Sequence, residues 1–229
     1  MTITAPITDR RTLLSGLALA PILALPGCAS LPGFSLTEAI RELLTLSSQR
    51  AFALLLKPNG FYDSQVARID LPPQLGGSGA SSIVARVLLT GAFKTRLTKQ
   101  VNSAAREGAE RAAPLVADAI RSISIADAAA IVRGGPTAAT DLLERAMGRS
   151  LVGAMFPGID QGLRLADNAV VTEALRAATG IDFRGLVQDV SDRTHDSIYR
   201  AIAQEEAAIR ANPRETGSPL LTAVFGLAR

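Results

Sequence analysis

The one histidine of this chain, His195, stands among Asp189, Asp192 and Asp196, a grouping of residue types that could do chemistry. Residues three and four apart share a helix face, so Asp192 and His195 can present an oxygen and an imidazole nitrogen to one cation, or relay a proton. The same spacing also describes a solvated acidic face beside a boundary histidine. One His without a Cys falls short of the usual zinc set, so the four residues stand as a polar cluster, with no metal, cofactor or catalytic residue assigned. Gly76-Gly-Ser-Gly-Ala80 faintly resembles a nucleophile elbow. It lacks the closing Gly, and no clear strand precedes it or helix directly follows; as a flexible linker it needs no further explanation. Glu206 and Arg210 are spaced i,i+4 in the better orientation, worth about 0.3–0.5 kcal/mol on a helix, and structure explains that pair adequately. No Walker loop, Ser-x-x-Lys, His-Glu-x-x-His, dinucleotide glycine pattern or calcium loop occurs, which removes the common routes to catalysis.

Cys28, the only cysteine, has a different context. A polar start ending in Asp9-Arg10-Arg11 is followed by thirteen mostly apolar residues, Leu13 to Leu25, and then by Pro26-Gly27-Cys28. Thirteen helical residues span roughly 20 Å, short of the ~30 Å hydrocarbon core, so the stretch reads as the apolar region of a signal peptide rather than a lasting membrane helix. Leu25-Pro26-Gly27-Cys28 resembles the lipobox of bacterial lipoproteins, whose cysteine receives lipid after cleavage. Arg10-Arg11-Thr12-Leu13-Leu14 resembles a twin-arginine export signal, with Asp9 where Ser or Thr is usual. Export by that route and export by general secretion both stay open. Multiple acyl chains anchor stably where one does not. Ala29 after the cysteine, in place of Asp, resembles the outer-membrane sorting pattern.

Cleavage before Cys28 leaves 202 of the 229 residues. That length suits one domain able to bury about 70% of its unfolded surface without a disulfide or metal. Apolar residues make up 48% and aromatics 4%, with no Trp. The apolar content is mainly Ala, Leu, Ile and Val, which favours helix contacts built from small side chains. Losing Asp9, Arg10 and Arg11 with the leader takes the net charge from +3 to +2, too small a surplus to imply nucleic-acid binding. The charge is unevenly placed, however. No acidic residue falls between Asp70 and Glu107, while Arg86, Lys94, Arg96, Lys99 and Arg106 are basic. At 100° per residue these cations wrap a helix rather than line one stripe. They read either as partners of acids elsewhere in the fold or as contacts to an anionic headgroup or envelope polymer, each worth about 1 kcal/mol near such a surface.

The elements that must position these groups are helical. Residues 28–35 are the lipidated cysteine and a tether, and 36–229 form one helical domain. Ser35 and Glu38 make a capping box for a helix that Lys57-Pro58-Asn59-Gly60 stops. Residues 57–82 are a long, partly extended loop, with Val66–Leu71 as an extended strip. A long helix is expected from Ile83 to about Ala112, with Pro114 in the first turn of the next. Ser124 and Asp127 form a second capping box for a helix ending at Gly134-Gly135. Pro136 opens a helix to Met147, and Pro157 or Asp160 opens one to Thr179. Asp182 caps a stretch to Ala211 with a break near Ser191, and Ser218-Pro219 opens a final turn. The fold class is all-α, an irregular multi-helix bundle.

Several stretches in order resemble a bacterial family of unknown function, DUF4197. They are Leu56-Lys-Pro-Asn-Gly-Phe61, Arg68-Ile-Asp-Leu-Pro72, Asn102-Ser-Ala-Ala105, Ser124-Ile-Ala-Asp-Ala128, Ala138-Ala-Thr140, Ile202-Ala-Gln-Glu-Glu206 and Ile209-Arg-Ala-Asn-Pro213. The resemblance implies an export leader ahead of a helical domain, and it carries no activity, substrate or site residues. The reading is therefore an exported protein, lipid-anchored through Cys28 at the periplasmic face of a membrane, the outer membrane favoured, that binds or scaffolds and has no nucleic-acid partner. The alternative is an enzyme, or a binder of a small apolar ligand, using a cleft among the helices.

Overall fold

Ser35 starts the first element as the spacing predicts: its hydroxyl accepts the Glu38 N–H at 3.4 Å, satisfying one of the helix's free donors. The computed structural model describes residues 35–71, 90–164 and 183–226, all within one unit, Phe34–Arg229. The expected leader with Arg10 and Arg11, Cys28, Arg86, the Gly76–Ala80 stretch and the expected Asp182 cap lie outside the described residues. Within them the chain forms α1 (Leu36–Leu55), α2 (Gly60–Asp63), α3 (Gly91–Ser122), α4 (Ala128–Arg133), α5 (Ala138–Met147), α6 (Ser150–Arg164), α7 (Phe183–Ala211), a 3-10 turn at Pro213–Thr216 and α8 (Pro219–Phe225). No strand occurs among the described residues, and no helix there is long and apolar enough to cross a membrane. The fold is all-α.

Two prolines expected to begin helices lie inside them instead. Pro114 is within α3 and Pro157 within α6, which starts at Ser150. Both prolines are exposed, as are Glu110 and Gly153 four residues before them, so water can satisfy the carbonyls their rings leave unbonded. The buried stripes run on past them: Ala104, Ala105, Gly108, Ala109, Ala112, Val116 and Ile120 in α3, and Leu151, Met155, Gly158, Ile159 and Gly162 in α6. Continuous burial outweighs the lost hydrogen bond. Two other boundaries also differ. Asp127 alone caps α4, accepting from the Ala130 N–H at 2.8 Å, while Ser124 stays outside. The α7 helix does not break at Ser191, whose hydroxyl bonds back to the Val187 carbonyl at 2.7 Å.

The loop after α1 contains a helical turn, α2, that spacing did not suggest; Phe61 in it is buried. The strip beyond alternates as an extended segment should, with Ala67 and Ile69 buried and Arg68 and Asp70 exposed. A side chain takes the place of a partner strand. Asn102 of α3 accepts from the Ile69 N–H at 2.9 Å and donates to the Ile69 carbonyl at 2.8 Å.

The α3 and α6 helices meet through glycine and alanine. A Cβ on Gly162 would lie 2.8 Å from Ala104 Cα, and one on Gly158 would lie 2.8 Å from the Glu107 carbonyl oxygen. Those neighbours are backbone and cannot rotate away, so a larger residue must part the helices. Gly162→Ala is therefore expected to destabilise by about 1–3 kcal/mol. Gly153, on the open side of the same helix with nothing within 4 Å of a Cβ, should stabilise by about 0.5–1 kcal/mol when changed to Ala, since only helix propensity acts there. Urea midpoints of the two variants moving in the same direction would contradict this seam.

The α1 and α3 helices run antiparallel. Arg41, in the second turn of α1, donates to the Ile123 carbonyl at the far end of α3 at 3.2 Å. Beyond the other end of α1, the Tyr62 ring lies under Lys99, 5.4 Å from the ammonium, near the start of α3.

The C-terminal half is joined by a buried ion pair. Glu206 is 0% exposed and Arg210 10% exposed, with 2.8 Å between them. The Glu206 carboxylate also accepts from the N–H groups of Ala139 at 3.0 Å and Thr140 at 2.7 Å, and from the Thr140 hydroxyl at 2.6 Å. Arg210 donates to the carbonyls of Ile131 and Val132, both at 3.1 Å. The pair thus does more than the i,i+4 support expected of it: Glu206 caps the start of α5, Arg210 caps the end of α4, and both tie those short helices to α7.

Candidate functional site

With α5 fixed on α7 at one end, its other end and the start of α6 face the middle of α7. The chain turns from α5 to α6 at Gly148, whose φ of 51° lies in the left-handed region that favours glycine. The turn places Arg149 across from α7, where it pairs with Asp192 at 2.7 Å; Gln188 also donates to both Asp192 oxygens at 3.2 Å. Glu144, Gly148, Arg149, Val152, Asp192, His195 and Asp196 line an open depression of about 500 Å³. A second depression of about 250 Å³ shares its Glu144 and Asp196 walls.

His195 is the fixed element here. Its side chain is 14% exposed, its Nδ1 lies 3.1 Å from Asp196 Oδ1, and its ring meets Tyr199 edge to face with centroids 4.8 Å apart. The Tyr199 hydroxyl donates to Met147 Sδ at 3.3 Å. Burial, and then the Glu144 charge, push its phenol well above the ordinary tyrosine range, so it acts as a neutral donor and an aromatic wall. One donor atom each from Glu144, His195 and Asp196 lies within 4.8 Å of the other two.

Three of the four residues in the expected polar cluster come together in this depression: Asp192, His195 and Asp196. Asp189 does not line it, and its carboxylate pairs with Arg193 at 2.8 Å. Sequence spacing on one helix also missed Glu144 and Arg149, since both come from a segment more than forty residues earlier. No periodicity signals such a meeting; only the packing of α5 on α7 creates it.

The basic stretch separates into different environments. Arg106 pairs with Glu110. Lys99 and Arg68 both lie over the Tyr62 ring, Arg68 at 4.2 Å. Lys94 is half-buried and Arg96 exposed, at the start of α3. The exposed apolar residues Leu36, Leu54, Val66 and Leu115 are scattered along the chain, as on an ordinary surface.

A family model described as "Protein of unknown function (DUF4197)" matches residues 30–226. No curated protein and no solved structure matches the chain.

Proposed function

This chain belongs to the family of unknown function DUF4197, and from that premise we propose that it is an exported, lipid-anchored envelope protein that binds at a membrane face. The observation that carries the reading is Leu25-Pro26-Gly27-Cys28 closing a thirteen-residue apolar stretch only seven residues before Ser35. Seven residues reach at most about 25 Å, so the domain is held beside the bilayer. Because α1 and α3 are antiparallel, the basic start of α3 lies at the opposite end from Ser35. Lys94 and Ile123 are twenty-nine residues apart, about 43 Å along a helix. Cations at that distance meet the anchoring membrane only if α3 lies along its surface, and that orientation is part of the proposal.

Lys94 and Arg96 form no ion pair with any described residue, and two such cations contribute about 1 kcal/mol each at an anionic surface, or roughly 30-fold in affinity together. That is enough to orient an anchored domain and too little to replace the anchor. The wild-type protein is expected to partition into detergent and the Cys28→Ser chain into the aqueous phase. Finding the wild-type chain unmodified in the cytoplasm would defeat the reading. The Cys28→Ser chain should still bind anionic vesicles at low salt and release them as salt screens exposed charge. Lys94→Gln with Arg96→Gln should weaken that binding about 30-fold and leave the melting temperature nearly unchanged, since surface substitutions away from a packed or paired feature cost within about ±0.5 kcal/mol. Arg106→Gln, at a charge already paired with Glu110, should weaken it much less. Equal losses from both changes, or no vesicle binding at all, would remove the surface contact from the reading.

A further inference from the structure

We propose that Glu144, His195 and Asp196 bind one divalent transition-metal cation of zinc's type, with water completing its coordination. The three groups come from two helices, so the donor set exists only in the folded domain. The Nδ1 of His195 and Oδ1 of Asp196 are 3.1 Å apart. Two donors each about 2.1 Å from one zinc ion stand 3.1 Å apart when the angle at the metal is about 95°. Glu144 offers a carboxylate oxygen within 4.8 Å of a donor atom of each of the other two, so a change of its side-chain rotamer must close the set around the ion.

Charge points the same way. Of the charged groups lining the depression, Arg149 and Asp192 neutralise one another at 2.7 Å. Glu144 and Asp196 then remain as two carboxylates beside one imidazole, and Glu144 makes no ion pair with any described residue. Two negative charges around a nitrogen donor suit a divalent ion. One nitrogen and two oxygens are not the usual structural zinc set, but the nitrogen donor suits zinc better than magnesium or calcium, which take oxygen alone. Tyr199 meets the imidazole edge to face at 4.8 Å, which restricts the ring's rotation. The depression is open and roomy enough for solvent, which gives three protein ligands and free positions, the pattern of a site that exchanges or activates what it binds. This site is independent of how the chain is anchored.

The test uses the full, untagged chain carrying Cys28→Ser, which removes the only thiol, stripped of metal and titrated with Zn²⁺ by calorimetry. One equivalent is expected to bind saturably, and millimolar Mg²⁺ should not displace it. Because His195 is the only histidine, the imidazole proton resonances belong to it alone, and they should shift in step with the first equivalent. Glu144→Gln and Asp196→Asn should each weaken binding tenfold or more with the helical circular dichroism intact. Asp189→Asn, outside the depression, should leave the affinity unchanged. Absence of stoichiometric binding overturns the proposal. So does binding that leaves the His195 resonances unmoved, or that survives both Glu144→Gln and Asp196→Asn.

Discussion

Glu206→Gln is expected to cost about 3–5 kcal/mol, because removing one partner of a buried ion pair strands the other charge. Arg210 would be left 10% exposed with its guanidinium facing a neutral amide. The damage extends beyond the pair. The amide NH₂ of glutamine would face one of two groups that now donate to the carboxylate, the Ala139 N–H or the Thr140 N–H and hydroxyl. At roughly 2–4 °C per kcal/mol for a domain of this size, the melting temperature should fall on the order of 10 °C. Hydrogen exchange gives the local readout: the Ala139 and Thr140 amides should lose protection before the rest of α5. A cycle with Arg210→Met separates the pair from its surroundings, since the second loss should cost far less once the first has occurred. If Glu206→Gln costs under 1 kcal/mol, or the two changes simply add, the clasp does not hold α4 and α5 to α7 as described.

Asn102→Ala should be the next most damaging change, at about 2–4 kcal/mol. Both N–H donors of this buried amide are used, and its oxygen accepts one bond. The oxygen accepts from the Ile69 N–H, and the NH₂ donates to the carbonyls of Ile69 and Thr98, both at 2.8 Å. Alanine leaves the two Ile69 backbone groups unpaired, at about 1–3 kcal/mol each, and gains back only about 0.5 kcal/mol of helix propensity. The strip could relieve this by moving into water, at the expense of the burial of Ala67 and Ile69. The distinguishing measurement is denaturant unfolding combined with exchange at the Ile69 amide. Unchanged protection there with a loss below 1 kcal/mol would show that the strip stands without Asn102.

Both clasps join stretches by which the sequence resembled its family. Asn102 belongs to one and Ile69 to another; Glu206 lies in a third and reaches Ala139 and Thr140 in a fourth; Arg210 lies in a fifth. The resemblance is thus accounted for largely by residues that hold the helices together. The depression uses others: Glu144, Arg149, His195 and Asp196 fall in none of those stretches.

Local chemistry alone determined much of this protein. The Ser35 and Ser218 caps, the stop after α1 at Asn59-Gly60 and the all-α class follow from hydrogen-bond needs and spacing within a few residues, which a sequence displays directly. Tertiary structure decided everything that depends on which face meets which. Pro114 and Pro157 could remain inside helices because packing put them on the water side. Glu206 and Arg210 became buried caps, beyond an i,i+4 pair along one helix, because α4 ends and α5 begins against them. His195 gained Glu144 as a neighbour and Asp189 was excluded because α5 crosses α7 at one height and not another. Spacing along a helix fixes direction around its axis, but the partner that fills a direction is chosen only when the helices pack.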